Sequence, residues 1–130
     1  MLKKYTIYGE RCSGTNYLEN IINMNFDVNI TWEYGWKHFF GSLDDKLKKS
    51  DDTLFICIVR NLPDWINSFY RIPHHLPVHL KNDINKFLNN EFYSEPDSWC
   101  WKDYYKDNNK ILSEDRNIYT GKRYKNIFEL

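Results

Sequence analysis

Two hydrophobic periodicities alternate along this chain. "YTIYG" (residues 5–9) is a β-branched and aromatic run ending at glycine, the pattern of a short buried strand. Residues 15–24 then take helical spacing, with Tyr17, Leu18, Ile21 and Ile22 on one apolar face. "DVNIT" (27–31) predicts a second strand, "GWKHFFG" (35–41) a third bounded by glycines, and "SLDDKLKKSDD" (42–52) a polar surface helix. "TLFICIV" (53–59) is apolar without interruption, which predicts burial on both faces and a central place in a parallel sheet. "NLPDWINSFYRI" (61–72) follows as a helix: Asn61 suits the N-cap, Pro63 the first turn and Asp64 the positive helix end. Its buried stripe is Trp65, Ile66, Phe69 and Tyr70. "IPHHLPVHL" (72–80) reads as an extended, proline-rich connection, "KNDINKFLNNEF" (81–92) as an amphipathic helix and "DSWCWKDYYKD" (97–107) as another of weaker periodicity; 111–130 carries no readable pattern.

Strands alternating with helices predict an α/β fold, a three-layer sandwich around a mostly parallel sheet, formed by residues 1–130 as a single domain. Ligands of such sheets collect at the carboxyl ends of the strands. Three polar clusters fall at such ends: Glu10 to Thr15, Lys37 with His38, and Arg60 with Asn61.

Composition narrows the function. Eighteen Lys and Arg balance eighteen Asp and Glu, and no basic stripe stands out, so nucleic acid is not the expected partner. No apolar run approaches the ~18 residues of a membrane span. "MLKKYTIYGE" enters a strand without a signal-peptide core, and Cys12, Cys57 and Cys100 are odd in number and irregular in spacing. The expectation is a cytoplasmic protein with neither disulfides nor a membrane partner. An aromatic share of 18% suits either an aromatic core or an aromatic acceptor pocket.

The loop "GERCSGTN" (9–16) carries the chemistry. A loop running from a strand into a helix start presents backbone N–H groups and a positive dipole end to a phosphate-sized anion. Gly14 permits close approach, Ser13, Thr15 and Asn16 add donors, and Arg11 adds charge. The Gly-Lys-Ser/Thr ending of a nucleoside-triphosphate loop is missing, which takes away the main support for a kinase or ATPase. Read alone, the loop also fits an ordinary strand–helix turn capped by Ser13 or Thr15. In the second cluster Ser68 follows Arg60 inside the next helix, roughly 9–10 Å along from its start, so both reach one phosphate only if it lies beside that helix.

Taken together, "CSGTNYL" (12–18) and "RNLPDWINSFY" (60–70) resemble the two nucleotide-binding elements of sulfotransferases that use 3′-phosphoadenosine 5′-phosphosulfate (PAPS). The resemblance covers about residues 3–71. It implies a P-loop nucleotide-binding-like fold and a PAPS cofactor without a metal. It places Arg11, Cys12, Ser13, Gly14, Thr15 and Asn16 at the 5′-phosphosulfate, and Arg60 and Ser68 at the 3′-phosphate. "WKHF" lies where the family carries its catalytic residue, which makes His38 the base, with Lys37 beside it; a half-buried structural histidine is the other reading of His38. Arg11 or Lys37 stabilises charge at the leaving phosphate. The acceptor is a small molecule or carbohydrate bearing a hydroxyl or amine. The family has Lys or Arg directly before Ser-Gly-Thr where this chain has Cys12, so a catalytically inactive nucleotide-binding module of the same fold stands as the alternative.

Other groupings add less. His74, His75 and His79 lack a nearby partner at metal-ligand spacing, and the "WCWKDYY" aromatics (99–105) read as core or as a stacking surface. Lys122 and Arg123 read as a solvated basic turn.

Overall fold

A computed structural model describes residues 2–38, 47–95, 116–117 and 119–130. The chain divides into two compact units, Met1–Ser68 and Phe69–Leu130, within the span expected as one domain.

In the first unit, β1 (Lys4–Tyr8), β2 (Asn29–Ile30) and β3 (Thr53–Cys57) form a parallel sheet in the order β2-β1-β3. β1 and β3 pair along their full lengths, Lys4 opposite Thr53 through Tyr8 opposite Cys57, and the Ile58 N–H donates to Tyr8 O to carry the pairing one step further. Helix α1 (Thr15–Asn25) follows β1, and helix α2 (Leu62–Arg71) follows β3. The core centres on Tyr5, Ile7 and Ile22, with Leu18, Val28, Ile30, Ile56 and Ile58 packed around them. Each fully buried side chain of this size contributes about 1.5–3 kcal/mol from removal of apolar surface from water.

The small α/β arrangement with a parallel sheet is as expected, but three details differ. Among the described residues the central strand is β1, and β3 lies at the edge of the sheet with Leu54 46% and Phe55 38% exposed. Its apolar run is occupied in part by aromatic packing rather than by a further strand: Phe55 meets Tyr34 at 4.9 Å and stacks with Tyr8 at 6.4 Å between ring centroids. On α1, Ile22 is buried and Leu18 partly so, while Tyr17 is 71% exposed and Ile21 is exposed too, so half of the expected apolar face looks outward. Residues 35–38 form no strand; Gly35, at φ 118, closes a turn in which its N–H donates to Trp32 O, and such a backbone interrupts pleating. The rest of that expected strand and most of the 42–52 helix lie outside the described residues.

In the second unit, α3 (Val78–Lys81) is a short helix where an extended connection was expected, and Pro77 stands at its N-cap. α4 (Ile84–Asn89) is the core of the helix expected over 81–92, capped by the Asp83 carboxylate, which accepts from the N–H groups of Asn85 and Lys86. A 3-10 helix (Ile127–Glu129) follows near the end of the chain. Phe69, Phe87 and Phe92 pack edge to face, and Leu76, Leu80 and Ile127 complete the buried set. The 97–107 helix falls outside the described residues.

Candidate functional site

The site grows from Gly9. Its N–H donates to Lys37 O at 2.8 Å, and its carbonyl takes the His38 ring nitrogen Nδ1 at 2.6 Å. A Cβ at this position would stand 2.7 Å from both Ile58 Cγ2 and Ile58 O and 3.0 Å from Thr15 Cγ2. Only glycine lets the end of β1, the exit of β3 and the first residue of α1 meet so closely. The Lys37–His38 pair therefore reaches the carboxyl end of β1, carried on a turn rather than on the separate strand expected for it.

Beyond Gly9 the chain turns tightly, with Ser13 N–H donating to Glu10 O at 3.1 Å. Two residues are left-handed, Cys12 at φ 62 and Gly14 at φ 97. Gly14 adopts this at no steric cost, whereas Cys12 holds a conformation that costs a non-glycine residue about 1–2 kcal/mol. Gly14 is also the N-cap of α1, and no side chain caps that helix start. The first intrahelical bond runs from Leu18 N–H to Gly14 O, so the N–H groups of Thr15, Asn16 and Tyr17 have no partner within the helix. These donors and the positive helix end face the same space, a geometry fit for an anion. Ser13 is different from its expected role in one respect, since its N–H is spent in the turn.

The second element meets this loop directly. Arg60 Nη1 donates to Cys12 O at 3.2 Å, and the buried Trp65 indole Nε1 donates to Arg11 O at 2.7 Å. Ser68 stands within hydrogen-bonding reach of the Cys12 thiol. Burial raises the pKa of that thiol; the Arg11 charge, the Ser68 hydrogen bond and the Arg60 charge oppose the rise in that order. The Cys12 thiol is thereby held protonated, and the loop gains no negative charge of its own. Arg60 and Ser68 come together with residues 11–12. Start of α2 is sealed: Asn61 Oδ1 accepts from Asp64 N–H at 3.0 Å, and Asn61 Nδ2 donates to Asp64 Oδ2 at 2.7 Å.

Arg11 is 5% exposed, with its charge close enough to act on the Cys12 thiol. Lys37 is half-buried; its Nζ hydrogen-bonds Asn16 Oδ1 and stands 5.2 Å over the Trp36 ring. Desolvation lowers the Lys37 pKa, and Glu19 partly opposes this. A partly desolvated ammonium thus stands beside the first turn of α1. The role of Trp65 was missed from sequence, where it counted only as part of a buried stripe. A buried indole needs an acceptor for its N–H, and that requirement was the available signal.

Among the described residues, no three His, Cys, Asp or Glu side chains stand where they could hold a metal ion, and the three histidines of 74–79 form no such group. Arg123 is engaged by Glu91 at 3.1 Å and stacks over Tyr93 at 3.8 Å. No described helix is long and apolar enough to cross a membrane. Compared with protein-family models, curated proteins and solved structures, the chain finds no match in any of the three.

Proposed function

We propose that this chain is a cytoplasmic sulfotransferase of three-layer, P-loop-like fold that moves a sulfuryl group from PAPS to a hydroxyl or amine acceptor. The observation that carries the reading is the meeting of two separate strand–helix turns at Cys12, where Arg60 and Ser68 join the loop that opens α1. A ligand with anionic groups at both ends of an adenosine matches two such grips. The uncapped start of α1, Gly14 and Lys37 suit the 5′ end, and Arg60 with Ser68 suits the 3′-phosphate.

PAPS would supply the activated sulfuryl group; the chain's residues supply placement and charge. Transfer of this kind is close to phosphoryl transfer and needs alignment and charge stabilisation rather than covalent help. In neutral His38 the Nδ1–H donates to Gly9 O, which puts the lone pair, and with it the proposed base role, on Nε2. Positioned bases of this sort contribute typically ~10²–10⁴ in rate. Of the two cations considered for the leaving phosphate, Lys37 is better placed, because its Nζ reaches the first turn of α1 while Arg11 is turned inward.

Cys12, neutral where a cation stands in the family, favours a second reading: a module that binds the nucleotide without turnover. Radiolabelled PAPS separates the two, since transfer or slow release of sulfate supports the enzyme and tight binding without loss of label supports the module. For the enzyme, His38→Asn keeps a donor for Gly9 O and removes the base. It should abolish transfer with adenosine 3′,5′-bisphosphate binding nearly unchanged, and full turnover in that variant would return His38 to a structural role.

A further inference from the structure

We infer that Trp65 and Arg60 are positioning residues for the anion loop, tying the 3′-phosphate grip mechanically to the 5′ grip. The inference rests on the nucleotide reading above and deepens it. Two consecutive carbonyls of the loop, Arg11 O and Cys12 O, are held by two donors from the β3–α2 element, Trp65 Nε1 at 2.7 Å and Arg60 Nη1 at 3.2 Å. Tying a trans peptide's carbonyl back in one direction sends its N–H in the other. The Trp65 bond therefore sets the direction of the Cys12 N–H, and the Arg60 bond fixes the next peptide, whose N–H already closes the turn on Glu10.

The need for such ties is visible in the loop. Cys12 is left-handed without being glycine, and a strained backbone persists only where its surroundings over-determine it. The turn's own hydrogen bond, from Ser13 N–H to Glu10 O, orients the Cys12–Ser13 peptide but not the Arg11–Cys12 peptide before it. Trp65 is 7% exposed, so its bond to Arg11 O is shielded from competing water. Arg60 is exposed, and its guanidinium carries further N–H groups besides the one on Cys12 O. One edge can keep the loop carbonyl while another takes a phosphate, so an occupied 3′ site steadies the loop at the 5′ site. Arg60 thus has two roles, one toward the ligand and one toward its own chain.

Calorimetry on the full chain with adenosine 3′,5′-bisphosphate and with adenosine 5′-monophosphate separates these roles. Trp65→Phe keeps most of the ring and deletes the donor. It should weaken both nucleotides about tenfold well below the melting temperature, the size of one lost buried hydrogen bond. Arg60→Gln should weaken the bisphosphate about a hundredfold and the monophosphate, which offers Arg60 nothing to bind, by about threefold. Unchanged affinities in Trp65→Phe, with only a lower melting temperature, would overturn the positioning role. If that variant does not fold, an unchanged monophosphate affinity in Arg60→Gln overturns it instead. Equal losses for both nucleotides in Arg60→Gln would leave the ties standing and refute the 3′-phosphate assignment. Wild-type protein that binds neither nucleotide would overturn the nucleotide reading itself, and this inference with it.

Discussion

The two strand–helix turns of the first unit occupy equivalent places in the fold and are built by opposite means. After β1 the chain enters α1 through a left-handed glycine with no side-chain cap, and the backbone donors of the first helical turn are left for another partner. After β3 the chain enters α2 through Asn61, whose side chain accepts from the Asp64 N–H and also donates to the Asp64 carboxylate. The first turn has an open positive end. The second closes its own end and adds a carboxylate there, which would repel an anion. Any anion at the second turn must be met beside the helix, by Arg60 and Ser68. In the proposed reading one grip would be made of backbone and the other of side chains beside a capped helix.

The largest expected effect comes from adding one methyl group to the first turn. In Gly9→Ala the new Cβ would lie within 2.7 Å of Ile58 O, a backbone atom that cannot swing aside. Either β3 or the start of α1 must shift, with a loss of about 1–3 kcal/mol as in other overpacked sites. Urea denaturation should show the midpoint falling, and bisphosphate binding should fall with it because the displaced parts carry the anion loop. A midpoint equal to wild type would mean that the close approach at Gly9 does not hold the two turns together.

A smaller effect tests the second turn. Asn61→Ala removes the cap of α2 and should cost about 1 kcal/mol of stability. Because α2's own N-terminus is not the anion site, bisphosphate affinity should stay within about twofold at temperatures where the variant is folded. Gly14→Ala provides the contrast. At φ 97 an alanine is strained by about 1–2 kcal/mol, a comparable stability loss, but here the loop backbone itself is the grip and affinity should fall clearly. If the two variants lose affinity equally, the division into backbone and side-chain grips is wrong.

Much of this contrast is legible in the sequence. Gly9 and Gly14 punctuate the first turn, Asn61, Pro63 and Asp64 announce the second helix, and α1 and α2 run close to their expected bounds. The placement of strands was less legible, for a physical reason. An unbroken apolar run such as 53–59 reports a capacity for burial, not the identity of what covers it, and in β3 the Phe55 ring finds Tyr8 and Tyr34. The same ambiguity misled the outer face of α1 at Tyr17 and Ile21. Local pattern also hides long-range ties. That Asn16 would meet Lys37, or that the Trp65 N–H would end on Arg11 O, depends on segments far apart in the chain.

The smallest effect expected is also the most direct measure of whether the turns act on one another. Cys12 belongs to the first turn, and three groups oppose the burial that raises its pKa: Arg11 beside it, and Ser68 and Arg60 from the second element. A nearby positive charge favours thiolate, so Arg60→Gln should move the Cys12 pKa further up. Arg60 is exposed and its field partly screened, so the shift should be small. It can be read from the pH midpoint of the Cys12 alkylation rate, with adducts resolved by peptide mass spectrometry from those on exposed Cys57. The direction of the midpoint separates charge from access: loosening the loop would speed alkylation and, by relieving burial, move the midpoint downward, whereas losing the charge moves it upward. An upward move shows the second turn setting the electrostatics of the first. A midpoint that falls while the rate rises would mean that Arg60 acts on this loop more through its hydrogen bond to Cys12 O than through its charge.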